Sequence, residues 1–309
     1  MTTSRTSPAP TDEPTRPGPR RGRLGPGLVR AARPKQWLKN VLVFAAPASA
    51  GVLFTPEPLL RTLIAFAAFC LASSGTYFIN DARDIEADRR HAKKRYRPIA
   101  AGIVSVRLGY VVGMLLLLAG VGLAFLASWQ LAAVVIGYLV LTTAYSLWLK
   151  HEPVIDLVAV AAGFVLRALA GAAANDLATS SWFLIVASLG SLFIVAGKRE
   201  AELRNAEDDQ QTRSTLQAYS IPFLNYVQAA STGALLVSYC LWAFEAHSGL
   251  NRLLFGLSIL PFAVGVLRYA MLVDSGKGEE PEDAIVSDGV LLVCGIALVV
   301  LVGLGVYVV

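Results

Sequence analysis

Long apolar stretches, separated by short polar connections, follow one another along this chain from residue 38 to its C-terminus. An α-helix needs about 20 mostly apolar residues to cross the hydrocarbon core of a bilayer. Nine stretches have roughly that length, at residues 38–54, 60–79, 108–127, 131–149, 154–174, 181–197, 222–245, 251–271 and 288–308. The pattern predicts an all-α integral membrane protein with nine transmembrane helices. The first stretch is short and contains Pro47, which disfavours a regular helix.

The composition supports this fold class. Of the 309 residues, 55% are hydrophobic and only 16% are charged, which excludes an ordinary soluble domain. Residues 1–30 differ from the rest, because they are rich in Pro, Arg, Ser, Thr and Gly and nearly free of apolar side chains. We expect this segment to be a disordered, basic cytoplasmic tail. Residues 31–309 are then a single transmembrane domain that carries the function.

Basic residues indicate how the chain is oriented. Lys and Arg are concentrated before the first stretch and after the second, fourth, sixth and eighth, so these segments lie on one side. The bias predicts a multi-pass protein of the inner (plasma) membrane, with a cytoplasmic N-terminus and functional loops that face the cytosol. The net charge of +5 fits attraction to anionic lipid headgroups. No nucleic-acid motif is present, so no nucleic-acid partner is expected.

An acidic cluster follows the second apolar stretch. On one continuous helix at 100° per residue, Asn80, Asp81, Asp84 and Asp88 fall within an arc of about 100°. Mg²⁺ prefers carboxylates, water and substrate phosphates as ligands, so this face predicts a magnesium site. The alternative is a solvated helix end whose acids balance nearby arginines.

A basic cluster with the same spacing follows the sixth stretch. Lys198, Arg199 and Glu202 share one helical face, and Lys and Arg can hold phosphate directly. Charged groups close to hydrocarbon are unfavourable unless something pairs them. The acidic and basic clusters together predict a site for a metal and phosphates at the membrane surface.

Two motifs resemble those of a known family. The pattern Asn-Asp-x-x-Asp-x-x-x-Asp at 80–88 resembles the first motif of the UbiA superfamily of intramembrane prenyltransferases, and residues 33–40 resemble its N-terminal signature. The resemblance implies a helical bundle around a central cavity open to the cytosol. It also implies that Asn80 and Asp84 hold Mg²⁺ against a diphosphate leaving group. Asp81 and Asp88 then become supporting catalytic acids.

The chain is more specifically similar to one actinobacterial branch of that superfamily, the decaprenyl-phosphate phosphoribosyltransferases. Its Lys-Arg-x-x-Glu element replaces the usual second run of aspartates, and the similarity includes residues 94–102, 145–151, 197–203 and 278–283. This resemblance implies transfer of 5-phosphoribose from 5-phosphoribosyl 1-diphosphate to decaprenyl (polyprenyl) phosphate. The product supplies arabinan precursors for the cell wall.

Most candidate substrate-binding residues also follow from the resemblance. They are Lys39, Tyr77, Lys94, Arg95, Arg97, Tyr145, Lys150, His151, Lys198, Arg199 and Glu202. Arg167 is added because it lies deep within the fifth apolar stretch, where an ionisable residue is a functional candidate. A structural pairing of Arg167, or its extension to the outer face, is an equally weighted alternative.

Two other functions are weighed. A UbiA-type prenyltransferase would use a prenyl diphosphate donor and an aromatic or heme-type acceptor, but the second aspartate run is replaced here. A transporter would carry ionisable groups throughout the membrane midplane, whereas here they cluster at one rim. The oligomeric state stays open, and a homo-oligomer is compatible with such a bundle.

Overall fold

The computed structural model describes residues 23–205, 216–245, 249–278 and 281–308. Twelve α-helices occur in this part: α1 (Leu24–Ala32), α2 (Ala45–Ser49), α3 (Pro56–Arg83), α4 (Ile85–Arg90), α5 (Val106–Ala127), α6 (Trp129–Leu147), α7 (Ile155–Ala174), α8 (Ser181–Asn205), α9 (Ile221–Glu245), α10 (Gly249–Asp274), α11 (Pro281–Ser287) and α12 (Gly289–Tyr307). Within the described ranges, eight helices are long and apolar enough to cross a membrane, namely α3, α5 to α10 and α12. The protein is therefore an integral membrane protein.

The expected first span does not form a long helix. Residues Pro34–Phe44 make a 3₁₀ helix, here called the 3₁₀ segment, and α2 follows it for only five residues. Runs of 3₁₀ helix longer than about four residues are uncommon. Such irregular backbone is tolerated at membrane depth where protein covers it or where it lines a cavity. The 3₁₀ segment meets this condition because it packs against α3 and α7.

Gly171 of α7 permits this packing. A Cβ atom built on Gly171 would overlap the carbonyl oxygen of Val43 and lie 2.7 Å from Cδ of Pro47. Both contacts are too short for any larger side chain, so only glycine lets the two backbones approach. The close approach holds the 3₁₀ segment against α7 and so fixes where its polar side chains point.

The boundary expected at residue 30 does not match the structure. Residues 24–30 belong to α1, whose Gly27 and Ala31 are buried. Ala31 packs in one apolar cluster with Phe78, Ile99 and Val104. The small residues on one face let this short helix lie flat on the bundle, which composition alone did not indicate. Residues 1–22 lie outside the described part.

Close packing around α3 forms the centre of the bundle. α3 and α5 approach so closely that a Cβ atom on Gly113 would lie 3.2 Å from the Gly75 carbonyl oxygen. Small residues at helix interfaces are typical of membrane proteins, where lipid and side chains are equally apolar. The outer faces remain apolar, as at Leu118, Leu260 and Val299, which are 63%, 71% and 71% exposed. These faces suit contact with lipid tails.

Candidate active site

A cavity of about 590 Å³ lies between α3, α6 and α7, at the end of the bundle where α3 terminates. Its charged lining residues are Arg33, Lys39, Arg83, Lys94, Arg97, Lys150 and Arg167 on the basic side and Asp81, Asp84 and Asp88 on the acidic side. The cations outnumber the carboxylates by four. Clefts lined by one sign of charge attract ligands of the opposite sign. The cavity also has the size of a small-molecule site, so it suits a ligand with several negative charges.

Twelve of the sixteen residues proposed from the sequence line this cavity. They are Lys39, Tyr77, Asn80, Asp81, Asp84, Asp88, Lys94, Arg97, Tyr145, Lys150, His151 and Arg167. They come from the 3₁₀ segment, from α3, α4, α6 and α7, and from the connections after α3, α4 and α6. The bundle thus gathers residues more than a hundred positions apart into one hollow.

The acidic cluster does not lie on one continuous helix, and that assumption is wrong. α3 ends at Arg83, and Asp84 adopts φ −91° and ψ 15° before α4 begins at Ile85. The break turns Asp88 back toward the bundle. Asp81 and Asp88 are buried, at 2% and 3% exposure, while Asp84 is only half-buried. The acids therefore have two different environments.

The two buried carboxylates are held by arginines. Arg97 Nη1 donates to Asp81 Oδ1 at 3.1 Å and to Asp88 Oδ2 at 2.8 Å. Arg33 Nη2 donates to the same Asp81 oxygen at 2.6 Å. Asp81 and Asp88 are therefore both occupied by ion pairs. They orient two guanidinium groups at the rim of the cavity.

Asn80 and Asp84 are the pair best suited to a cation. Asp84 is contacted by Nε of its neighbour Arg83 at 3.1 Å, and Asn80 donates through Nδ2 to Ser146 Oγ at 3.3 Å. No group of three or more His, Cys, Asp or Glu side chains within the described ranges could hold a metal alone. Mg²⁺ is commonly bound through one or two carboxylates plus substrate phosphates, which is the donor set offered here. A further oxygen, Asp81 Oδ2, is buried without a hydrogen-bond partner among the described residues.

Arg199 lies behind the cavity wall, and it does not line the cavity. It is 5% exposed and donates to Asp156 Oδ2 at 3.1 Å, to Tyr145 Oη at 3.0 Å and to Glu202 Oε2 at 2.5 Å. Tyr145 itself lines the cavity. Arg199 therefore contacts the cavity wall through Tyr145, and Glu202 contacts Arg199.

Tyr219 completes this network. Its hydroxyl donates to Asp156 Oδ1 and accepts from the backbone N–H of Val154 at 2.6 Å. Burial, together with the hydrogen bond to the Asp156 carboxylate, raises the pKa of the Tyr219 hydroxyl. Tyr219 therefore stays protonated and can keep donating to Asp156 at neutral pH.

Lys198 also lies outside the cavity lining, beside Glu202, with Nζ and Oε1 3.8 Å apart. Lys39 and Glu282 are both close enough to act on Lys198 electrostatically. Lys39 Nζ lies 3.2 Å from Glu282 Oε1, which connects α11 to the cavity wall. The acidic run at 278–283 thus reaches the site through Glu282, while its Glu279 and Glu280 lie outside the described residues.

Arg95 is turned away from the site. It is exposed, donates to the Tyr96 hydroxyl at 2.7 Å and lies over the Tyr96 ring at 4.9 Å. Its neighbours Lys94 and Arg97 do line the cavity. The tight turn through Lys94–Tyr96 separates Arg95 from Lys94 and Arg97. The basic run in the sequence did not indicate this difference.

Sequence reasoning missed several residues at or beside the site, and four of them make contacts that bear on its chemistry. Arg33 stacks over the Tyr77 ring at 4.5 Å, Tyr138 and Ser146 line the cavity, and Asp156 anchors Arg199. Arg33 belongs to the N-terminal signature, so its motif was a usable signal. Tyr138 and Ser146 are ordinary residues within an apolar stretch, and nothing local distinguishes them.

Comparison with known proteins gives a consistent result. The sequence profile described as "UbiA prenyltransferase family" matches residues 41–293. The decaprenyl-phosphate phosphoribosyltransferase of Corynebacterium glutamicum is 43% identical over 292 residues, which cover 92% of this chain and 88% of that protein. The enzyme of the same name from Mycobacterium tuberculosis is 43% identical over 282 residues, which cover 90% and 93%.

Solved structures agree on the fold. A UbiA homolog from Archaeoglobus fulgidus bound to DMAPP and Mg²⁺ matches with a TM-score of 0.69, covering 92% of this chain and 99% of that one. At 16% identity, this match shows a shared helical architecture.

Proposed function

Because this chain belongs to the UbiA prenyltransferase family, we propose that it transfers 5-phosphoribose from 5-phosphoribosyl 1-diphosphate to decaprenyl phosphate. The observation that carries the proposal is the 43% identity, over at least 90% of the chain, to two enzymes of that name. The cavity supports it independently. Its excess of cations suits a donor that carries both a diphosphate and a 5-phosphate.

The bonds exchanged are simple. The C1–O bond to the diphosphate breaks, and an oxygen of the lipid phosphate forms a new bond to C1. Positive groups aimed at the departing diphosphate stabilise the charge that develops on it. We assign this to Lys94, Lys150 and Arg97. All three line the cavity, and the Arg97 guanidinium is paired with Asp81 and Asp88.

We propose Mg²⁺ as the cofactor, with Asn80 and Asp84 as its protein ligands. The half-buried Asp84 and the amide oxygen of Asn80 offer a donor set that leaves room for diphosphate oxygens. When bound, the ion neutralises part of the charge on the leaving group. The Mg²⁺ bound by the A. fulgidus homolog supports a divalent metal in this fold.

The acceptor requires little activation. A phosphate monoester is already an anion at neutral pH, so a strong general base is unnecessary. As in glycosyl transfer generally, C1 gains positive character as the leaving group departs. Attack from the face opposite the diphosphate gives inversion, so an α-configured donor yields a β-linked product. Determining the anomeric configuration of the isolated lipid tests this step, and a retained α-linkage would exclude it.

The charge pattern indicates how the cavity is oriented in the membrane. Lys and Arg gather at the cavity end of the bundle, so we propose that this end faces the cytosol, where a soluble sugar diphosphate is available. The lipid acceptor reaches the cavity from the membrane. We further propose that the membrane is the plasma membrane and that the product supplies cell-wall arabinan.

One assay separates the candidate functions. Purified protein in proteoliposomes receives phosphoribosyl diphosphate labelled in the ribose, Mg²⁺ and decaprenyl phosphate, and labelled lipid is measured. Label in the lipid supports the proposal. Label that enters the vesicle lumen without any lipid product favours transport. Turnover of a prenyl diphosphate with an aromatic acceptor, and none of the ribosyl donor, favours a conventional prenyltransferase.

A further inference from the structure

Arg167 is a buried cation whose hydrogen-bond partners are all neutral. It lies twelve residues into α7, about 18 Å along the helix axis from Ile155. Its Nε donates to Asn40 Oδ1 at 2.8 Å, its Nη1 to the Gly163 carbonyl at 2.8 Å and its Nη2 to the Tyr138 hydroxyl at 2.9 Å. Among the described residues, no carboxylate forms an ion pair with it.

Several contacts nevertheless fix the position of the Arg167 guanidinium. Asn40 is fully buried, and its amide nitrogen donates to Cys70 Sγ at 3.3 Å, which fixes the amide that receives Arg167. The guanidinium carbon lies 4.7 Å from the Tyr138 ring and 5.5 Å from the Phe164 ring. Asn40 belongs to the irregular 3₁₀ segment, which brings its amide group into contact with Arg167. If Arg167 only extended toward solvent, its guanidinium would not make these contacts.

Burial of a charge is unfavourable unless an opposite charge or a full set of hydrogen bonds compensates it. A guanidinium has five N–H donors, and three of Arg167's are used by the contacts above. Arg167 lines the cavity while it is only 7% exposed. Two donors therefore have no hydrogen-bond partner among the described residues, and no carboxylate there neutralises the charge, so a ligand that enters the cavity could use both.

We infer that Arg167 forms a phosphate-binding subsite at the deep end of the cavity, distinct from the diphosphate region at Asn80 and Asp84. Arginine matches phosphate oxygens through its planar fork of donors. The inference rests on the proposed function, which supplies two phosphomonoesters: the 5-phosphate of the donor and the phosphate of the lipid acceptor. Either would supply the missing negative charge.

The test compares Arg167→Gln and Arg167→Lys with wild type in the transfer assay. Lysine keeps the charge but lacks the fork, so both variants are expected to raise one Michaelis constant by about 10- to 100-fold, the range for hydrogen bonds to charged groups. Arg61→Gln is the control, because Arg61 lies at the other end of α3 and its ion-pair partner among the described residues is the exposed Glu57. It is expected to leave both constants unchanged.

A donor that lacks the 5-phosphate, ribosyl 1-diphosphate, separates the two sources. If Arg167 binds the donor 5-phosphate, wild type discriminates between the two donors by KM and Arg167→Gln does not. If Arg167 binds the lipid phosphate, the KM for decaprenyl phosphate rises and donor discrimination is unchanged. Loss of kcat alone, unchanged constants, or failure of both variants to fold would overturn the subsite and leave Arg167 a structural residue.

Direct binding keeps this inference separate from the proposed function. Thermal unfolding of wild type and of Arg167→Gln is measured with ribose 5-phosphate and with farnesyl phosphate. Stabilisation of wild type by either probe, and not of the variant, supports the subsite even if wild type transfers no phosphoribose. Absence of turnover in wild type instead refutes the proposed function. Stabilisation of neither protein, or equal stabilisation of both, overturns the subsite.

Discussion

Arg199 of α8 donates to the carboxylate of Asp156 at the start of α7, with Nε and Oδ2 3.1 Å apart. Both side chains are buried, at 5% and 3% exposure. The pair joins two helices behind the cavity and holds Tyr145 through a second guanidinium nitrogen. The sequence suggested the Lys-Arg-x-x-Glu motif for direct phosphate binding. Its arginine instead lies behind the cavity wall.

Arg199→Met is expected to destabilise the protein by about 3 kcal/mol, because removal of the arginine leaves the buried Asp156 carboxylate without the cation that pairs with it. Denaturant unfolding in detergent measures the change. Arg61→Met is the control, since its pair with Glu57 is exposed, and exposed pairs contribute little. Equal stability of the two variants would contradict the buried-pair argument.

Asp84→Asn is expected to raise the Mg²⁺ concentration for half-maximal turnover at least about tenfold, with little change in folding, because a half-buried ligand is lost without a packing defect. Glu86→Gln is the matched control, an exposed carboxylate two positions away. Magnesium titrations of both variants decide the point. Normal magnesium dependence in Asp84→Asn rules out Asp84 as a ligand.

Glu282→Gln is expected to lower the KM for the phosphoribosyl donor by a few-fold. Glu282 neutralises Lys39 at 3.2 Å, so its removal frees a cavity cation for phosphate. Steady-state kinetics measure the change. Asp274→Asn is the control, because Asp274 pairs with Arg204 and is largely exposed. A raised donor KM would mean that the Glu282 carboxylate assists binding.

Gly171→Ala is expected to prevent normal assembly, because the added methyl group overlaps the Val43 carbonyl oxygen. Backbone atoms cannot yield as the end of a flexible side chain can, so the 3₁₀ segment must move and carry Lys39 and Asn40 with it. Size-exclusion chromatography and thermal unfolding measure the outcome. Gly137→Ala is the control, because nothing lies within 4 Å of its added Cβ atom. A Gly171→Ala protein as stable as this control contradicts the close approach.

Long helices were predictable because each depends on local hydrophobicity. Eight apolar stretches of the sequence coincide with the eight long helices of the described residues. The prediction of a transmembrane helix at 38–54 was wrong. The length and apolar content of this stretch match those of a span, but its conformation depends on packing against α3 and α7. Gly171 lies well over a hundred residues from the backbone it accommodates, and no window of sequence contains both.

The site was predictable to the level of residue type. Helical spacing grouped Asn80 with three aspartates, and the family resemblance selected Asn80 and Asp84 among them as metal ligands. Twelve of the proposed residues line the cavity. Spacing could not distinguish Asp84 from Asp81 and Asp88. That difference depends on the helix break at Asp84, after which Asp88 pairs with the same Arg97 guanidinium as Asp81. Motif spacing also could not show that Arg97 lines the cavity while Arg95 does not, because both belong to one basic run.

By itself, the sequence determined that the chain is helical, crosses the membrane and collects its charges at one end, because hydrophobic length and charge placement are local properties. Only the tertiary structure decided which cations face the cavity and which stand behind it. Only the tertiary structure also decided that Arg167 has neutral partners. Those outcomes depend on where distant helices meet, and the free energy of a buried charge depends on the groups that surround it in space.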